Sequence, residues 1–382
     1  MEAGRPVKVV ILVHLVGPGG GETIAVESAI HLDPERFERV LCIGRWHELE
    51  EQEPAAGMLR QVRDSGGGIL SLRRSSRFAF WAWWPLIRLL RRERVDVLHG
   101  HMFGSNVWAC VLGRLTRVPV IVCHEHMWSY GGGRLRAWID RFLIARFSNA
   151  FIAVSEAGLR SMIEVEGISP KDVVLLRNGV PALPAGDPGR VREELGIRPD
   201  QPVVLTVGTL RQEKAYEVLI EAAARLAPSV PDLRVLIAGM GPERPKLEAL
   251  IEQLGVSEVV TLLGLRADIP DLLASADVAV CCSDFEGGPL SVMEYMGARL
   301  PVVATRVGGL PELVRDGENG LLVPPRDPVS LARALADLLS NPSERERMGQ
   351  AGKELREREY GIDAFVGRLE ALYERLLSEP RR

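Results

Sequence analysis

Thirteen short runs of valine, isoleucine and leucine recur along the chain, and most gaps between them are filled by apolar residues at helical spacing. In the first half the runs are Val7–Val16, Val40–Ile43, Gly68–Leu72, Val95–His99, Val118–Cys123, Ala150–Val154 and Val173–Leu176. In the second half they are Pro202–Val207, Leu233–Ala238, Val259–Leu263, Ala276–Cys282, Leu300–Thr305 and Gly320–Val323. The runs are continuously apolar and do not alternate with polar residues. Such strands are covered on both faces, which predicts an α/β protein with doubly wound parallel sheets. The first run, preceded by Arg5 and Lys8, superficially resembles a signal peptide. It is short, lacks a small-residue cleavage site and runs into Gly19-Gly20-Gly21, so it is expected to be a buried strand followed by a glycine turn.

The segment Pro181-Ala-Leu-Pro-Ala-Gly-Asp-Pro-Gly-Arg190 interrupts the pattern and reads as a junction. The expected organisation is a first domain over 1–183, a linker over 184–200, a second domain over 201–358 and a C-terminal helix over 359–382 that packs back on the first domain. Up to residue 181 there are 23 basic and 19 acidic residues, and the remainder has 24 and 32. A cleft between two halves of unlike charge is a natural ligand site. The whole chain of 382 residues carries a net charge of −4, with a pI near 6.1, which argues against a nucleic-acid partner. The five cysteines are irregularly spaced with no CxxC, and are expected to be buried thiols in a reducing cytoplasm. No apolar run reaches the roughly 18 residues of a spanning helix.

The densest candidate chemistry is Ser283-Asp-Phe-Glu286-Gly287-Gly288-Pro289-Leu290-Ser291-Val-Met-Glu294. A strand ends, a glycine turn follows, and Pro289 is suited to the first helical position. The free N–H groups of Leu290, Ser291 and Val292 then form a phosphate site at the strand's carboxyl end. Glu286 and Glu294 can both face that crevice. A carboxylate repels phosphate but binds hydroxyls, so the pairing suggests a nucleotide sugar. The competing reading is an ordinary turn with solvated acids. After Val203–Val207, Gly208-Thr209-Leu210-Arg211-Gln212-Glu213-Lys214 brings two cations to the same edge, suited to a diphosphate leaving group. Gly239-Met240-Gly241 is a third strand-to-glycine turn, a weak signal by itself. No P-loop, GxGxxG or DxD sequence occurs.

Four of the seven histidines form two HxH pairs, His99/His101 and His124/His126. On a strand such a pair lies on one face, which is metal-ligand geometry. A metal-dependent hydrolase is therefore an alternative, although no carboxylate set accompanies the pairs and Glu125 should face away. Hydrogen-bonded histidines and a polar sugar-and-acceptor pocket are the other two readings. Between Arg73 and Arg94 lie seven arginines and one acid, with Phe78, Phe80, Trp81, Trp83 and Trp84 among them. Rings beside clustered arginines suit an anionic membrane surface, and equally suit core plus solvated helix face.

Taken in order, these pieces resemble the retaining, nucleotide-sugar-dependent glycosyltransferases of the GT-B fold, glycosyltransferase family four (glycosyl transferases group one). The resemblance covers nearly the whole chain. It is carried by the E-x7-E spacing from Glu286 to Glu294, by Leu300-Pro-Val-Val-Ala-Thr, by Val307-Gly-Gly-Leu-Pro-Glu312 and by Gly317–Val323. Gly19-Gly20-Gly21-Glu22 and Asn178-Gly179-Val180 add to it. It implies two Rossmann-like domains facing across a cleft that closes over the reaction. It also implies a nucleotide-diphosphate sugar as substrate, no cofactor or metal, and a glycan or lipid-linked acceptor.

By position, Lys214 would pair with the donor diphosphate, Glu294 with the ribose and Glu286 with a sugar hydroxyl. Leu290 and Ser291 would donate N–H groups, and Gly20, Gly21, Gly241, Gly287 and Gly288 would line the donor site. The catalytic pair would be Glu286 and a pocket histidine, His126 first and His124 second. Thr209 stands where the family often has Arg, leaving Arg211 as a substitute. Ala215 replaces a usual Gly, and Gly288-Pro289 replaces Phe-Gly. A sugar-nucleotide epimerase of the same fold and a non-catalytic binding protein are the remaining alternatives. The expected location is cytoplasmic, peripheral on the inner face of a membrane.

Overall fold

The structure, a computed structural model, describes residues 5–17, 19–45, 54–74, 76, 79–126, 133–230 and 232–379. Two compact units divide the chain: Met1–Val180 with Ile362–Arg382, and Pro181–Gly361.

The first unit is built on seven strands: β1 Val7–Val13, β2 Phe37–Ile43, β3 Gly68–Ser71, β4 Val97–His101, β5 Val120–Glu125, β6 Ala150–Ala153 and β7 Val173–Leu175. Their order in the sheet is β3-β2-β1-β4-β5-β6-β7. Each pairing is parallel. Val9 to Val13 have essentially no exposed surface, so helices cover both faces as continuously apolar strands require. β4 and β5 run two residues beyond their apolar cores. The first HxH pair is thus inside β4, and His124 is inside β5 opposite His101.

The second unit has six strands: β8 Val203–Val207, β9 Arg234–Ala238, β10 Val260–Gly264, β11 Val278–Cys281, β12 Val302–Thr305 and β13 Gly320–Val323. Their order is β10-β9-β8-β11-β12-β13, again all parallel. Several of its helices start with one grammar, an Asp or Asn cap followed by proline at the first helical position. Asp187 precedes the helix Pro188–Glu194, Asp327 the helix Pro328–Leu339, and Asn341 the helix Pro342–Glu359. Each cap accepts a free N–H of the first turn, and proline loses none that was needed.

The segment 184–200 differs from a linker. It carries the helix Pro188–Glu194, whose Arg192 donates to the carbonyls of Ser275 and Gln201, so it is part of the second unit. A Cβ at Gly186 would lie 2.0 Å from the Pro270 carbonyl oxygen, which shows how closely the segment is packed there. The helix Ile362–Ser378 belongs to the first unit. Its Ile362 N–H donates to the Val180 carbonyl, Glu370 binds Arg36 at 2.6 Å, and Tyr373 reaches His99 of β4.

All five cysteines are buried free thiols. No helix among the described residues is long and apolar enough to cross a membrane.

Candidate active site

In the second unit the chain moves outward from β8 to β9 and β10, then returns to β11 on the other side of β8. The loops after β8 and β11 therefore part company at a topological switch point, where open α/β sheets bind ligands. The loop after β8 holds a short 3-10 turn over Gln212–Lys214, and the loop after β11 holds Ser283 to Pro289. The two are tied together by the Asp284 N–H on the Glu213 carbonyl at 2.8 Å.

Lys214 and Glu286 meet at this point. The ammonium lies 2.5 Å from Glu286 Oε1, and the Ser283 hydroxyl donates to the same oxygen at 2.7 Å. Glu286 is buried, which makes its partners matter. Burial lowers the Lys214 pKa, but the Glu286 carboxylate, helped by Cys281 and Glu213, holds the lysine above its ordinary value. Ser283 is itself held, since Thr305 Oγ1 at the end of β12 donates to its carbonyl at 2.5 Å. Beside them burial pushes the Cys281 thiol up to about 12, which favours the protonated thiol. Lys214, Ser283, Glu286, Ser291, Tyr216 and Tyr295 line one small pocket.

Close backbone packing fixes the loops. A Cβ at Gly308 would stand 1.9 Å from the Glu286 carbonyl oxygen, and Gly308 also has φ +50°. A Cβ at Gly241 would stand 2.2 Å from the Leu210 carbonyl oxygen, so the turn after β9 presses on the loop that leads to Lys214. Ala215, where the family resemblance leads one to expect Gly, has φ +50° and keeps the left-handed turn all the same.

Pro289 is the N-cap of the helix Leu290–Gly297, one position earlier than expected from sequence. The shift makes Leu290, Ser291 and Val292 the first three helical residues, whose N–H groups lack intrahelical partners. Leu290, Ser291 and Glu294 are half-buried, and Gly287 and Gly288 form the turn before the cap. Arg211 opens the 3-10 turn and is exposed, whereas Lys214 closes it and turns inward.

The first unit repeats the arrangement at its own switch point, between β1 and β4. The glycine loop after β1 opens the helix Gly20–His31, with Gly20 exposed and Gly21 buried. A Cβ on Gly21 would come 3.1 Å from His126 Cδ2 and 3.0 Å from the Met102 side chain, so glycine is what lets the loop approach the histidine. Pro18 in that loop lies outside the described residues. His126 Nε2 lies 3.0 Å from His101 Nδ1, and His99 Nδ1 lies 2.6 Å from the Tyr373 hydroxyl. Burial, aided by neighbouring imidazoles at His99, pushes His99 and His126 down to about 3. His101 and His124 also fall well below the ordinary value. All four are neutral at pH 7. Glu125 faces away, as its alternation requires, and pairs with Arg136 at 3.1 Å.

The arginine-aromatic segment divides residue by residue. Trp83, Leu86 and Leu90 are core, with Trp83 against Trp108 at 4.7 Å. Phe80, Trp81 and Trp84 are exposed, as are Arg88, Arg91 and Arg92. Arg77 and Phe78 lie outside the described residues. A second such face runs along the helical stretch 133–147, where Leu135, Trp138, Phe142 and Phe147 are exposed together with Arg134, Arg141 and Arg146. Its signal in sequence was the helical spacing of Arg134-Leu135, Trp138 and Arg141-Phe142. The same spacing fits an ordinary buried face, so by itself it does not mark a surface one.

Two parallel-sheet units, each gathering its glycine turns and polar residues at one switch point, are the architecture of GT-B glycosyltransferases. The family model for Glycosyltransferase Family 4 matches residues 18–182, and that for Glycosyl transferases group 1 matches residues 189–355. The chain belongs to this family and is a glycosyltransferase. It is 36% identical over 303 residues to the alpha-D-kanosaminyltransferase of Streptomyces kanamyceticus, covering 74% of this chain and 78% of that one. It is 38% identical over 314 residues to a D-inositol 3-phosphate glycosyltransferase of Corynebacterium glutamicum, covering 75% and 74%. Among solved structures, Anabaena HepE in complex with UDP has the same fold, with a TM-score of 0.82 and 21% identity over 97% of this chain and 100% of that one. Neither the epimerase nor the metal-hydrolase alternative is favoured by these likenesses.

Proposed function

We propose that the protein transfers a sugar from a nucleotide-diphosphate sugar to a hydroxyl of a glycan or lipid-linked acceptor, with retention of configuration and no metal at the diphosphate. The Lys214–Glu286–Ser283 cluster beside the open N-terminus of the helix Leu290–Gly297 carries this reading. Binding of UDP and UDP-glucose by Anabaena HepE, which shares the fold, supports it.

An ammonium has three N–H donors, so Lys214 can keep Glu286 and still turn a proton to a phosphate oxygen. The N–H groups of Leu290 and Ser291 meet the same charge. As the bond from the anomeric carbon to the phosphate oxygen breaks, negative charge develops where these donors already point. The acceptor oxygen attacks from the face the phosphate leaves, and its proton passes to the departing phosphate. Glu286 Oε1 is taken by Lys214 and Ser283, which leaves Oε2 for a sugar hydroxyl, while Glu294 takes the ribose. Arg211, Gly241, Gly287 and Gly288 complete the donor site. In the first unit Gly20, Gly21 and His126 form a polar set of their own, suited to hydroxyl groups, with neutral His126 a hydrogen-bonding group and not a cation.

A thermal-shift panel of UDP-, GDP-, ADP- and dTDP-sugars tests the donor, since a ligand at 100 times its Kd adds about 2.7 kcal/mol. The anomeric configuration of the product tests retention. Glu294→Ala should weaken donor binding by about 10- to 100-fold, the worth of a charged hydrogen bond. Glu286→Gln should lower kcat with little change in donor Kd. Equal losses of donor affinity with turnover untouched would refute the assignment.

The exposed faces at 80–92 and 133–147 combine rings, which suit headgroup depth, with arginines, which suit anionic lipid. The acceptor reading therefore includes peripheral binding to the inner face of a membrane. The Arg88/Arg91/Arg92→Glu variant should bind phosphatidylglycerol vesicles at least about 100-fold more weakly at low salt, at about 1 kcal/mol per charge. Flotation of the wild type with phosphatidylcholine vesicles, with and without phosphatidylglycerol, reads this. A wild type that stays with the protein fraction in both would remove the membrane from the proposal.

A further inference from the structure

Five imidazole nitrogens in the first unit are buried with no hydrogen-bond partner among the described residues: His99 Nε2, His101 Nε2, both nitrogens of His124, and His126 Nδ1. Leaving a buried polar atom unpartnered is costly, and five together call for a ligand or ordered water. Three of these rings converge. β4 carries His99 and His101 on one face, and the parallel register sets His124 of β5 beside His101. Their ring centroids lie 4.2, 5.0 and 5.5 Å apart, and one nitrogen from each comes within 4.8 Å of the others.

We propose that His99, His101 and His124 bind a late first-row transition-metal ion, zinc(II) being the species that fits, and that the ion fixes the orientation of His126. Three neutral imidazoles with no carboxylate among them suit zinc, copper or nickel and not magnesium, calcium or manganese. Zinc–nitrogen bonds of about 2.0–2.1 Å need the three nitrogens roughly 3.4 Å apart, an adjustment within reach of the broad χ2 torsions of histidine.

Outer partners for two of the three ligands are already in place. A metal-bound histidine donates its other ring N–H to a fixed acceptor. Here His99 Nδ1 faces the Tyr373 hydroxyl at 2.6 Å and His101 Nδ1 faces His126 Nε2 at 3.0 Å. With metal on Nε2, both Nδ1 atoms must carry protons. His101 then donates to His126, and His126 is left with its proton on Nδ1, a donor for any hydroxyl. The site does not depend on the donor reading, and its ion takes no part in the charge balance at Lys214.

Untagged full-length protein, grown with added zinc and gel-filtered, is assayed for metal content. The apo form is then titrated with zinc(II) and with cobalt(II). Expected are stoichiometric zinc, saturable uptake, and the visible absorption of nitrogen-bound cobalt(II). Tyr373→Phe should retain the fold and lose about 10-fold in affinity, the usual cost of an outer partner. His124→Leu should lose the site. Metal-free wild type with no uptake of either ion overturns the proposal, and so does full zinc retention by His124→Leu. If His124→Leu does not fold, X-ray absorption of the zinc-loaded wild type decides, because a shell without imidazole overturns it as well. Water in place of metal would appear as the metal-free outcome.

Discussion

Lowering the pH from about 7.5 to about 5.5 should strip roughly 5–6 kcal/mol from the stability of the first unit. The loss comes from the four histidines of β4, β5 and the residue after β5. Burial holds His99 and His126 down to about 3, and His101 and His124 well below their ordinary value. In the unfolded chain each titrates near 6.5. The stabilisation is therefore complete above pH ~6.5 and is lost as the pH falls from there toward the folded values, because the unfolded state takes up protons that the folded state refuses.

At pH ~5.5 each histidine accounts for about 1.4 kcal/mol, and the sum approaches the about 5–15 kcal/mol that a domain has in total. His31 works the other way. Its bond to Glu27 raises it, and burial raises the Asp140 carboxyl to about 6, so both gain stabilisation as the pH falls, while His14, lowered by burial, adds to the loss. A metal held on the same nitrogens would compete with the same protons and steepen the loss. Urea midpoints at the two pH values, read by first-unit tryptophans such as Trp83, measure it. Equal midpoints would show that the histidines are not buried neutral.

Lys214→Ala should lower kcat/KM by about 30- to 1000-fold, equivalent to ~2–4 kcal/mol of lost charge stabilisation. Arg211→Ala should cost much less, since Arg211 is exposed at the start of the same 3-10 turn while Lys214 points to Glu286. The change also leaves Glu286 buried without its cation, a penalty of about 3–5 kcal/mol for a broken buried pair. Denaturation and kinetics should be measured on the same samples. A comparable or larger loss with Arg211→Ala would move the diphosphate contact to Arg211.

The fold was legible because its signal is local. Each of the thirteen apolar runs became a strand, since parallel strands buried on both faces leave little room for another pattern, whereas Gly20 and Gly21, expected in a turn, already belong to the helix that follows β1. Pro289 missed by one position because proline suits both the cap and the first turn. What spacing could not reveal were partners distant in sequence. Lys214 and Glu286 stand 72 residues apart, and nothing near either names the other. The HxH pairs were visible as pairs, but their meeting across β4 and β5 depends on register, which spacing within one strand does not carry. The rings of 80–84 had to be sorted into core and surface by Trp108, far along the chain.

The chain leaves the first unit after Val180 and returns to it at Ile362, where the two crossings are tied by one backbone hydrogen bond of 3.0 Å. During synthesis the second unit is thus a contiguous insert that can fold as soon as it is made, while the older half of the polypeptide waits for its last helix. Until that helix arrives, His99 lacks Tyr373, Arg36 lacks Glu370, and the Asp33 N–H lacks its acceptor. A chain ending at residue 361 and held on the ribosome by a spacer that clears the exit tunnel should accordingly present a mature second unit to a protease and an immature first one, the reverse of the order in which they were translated.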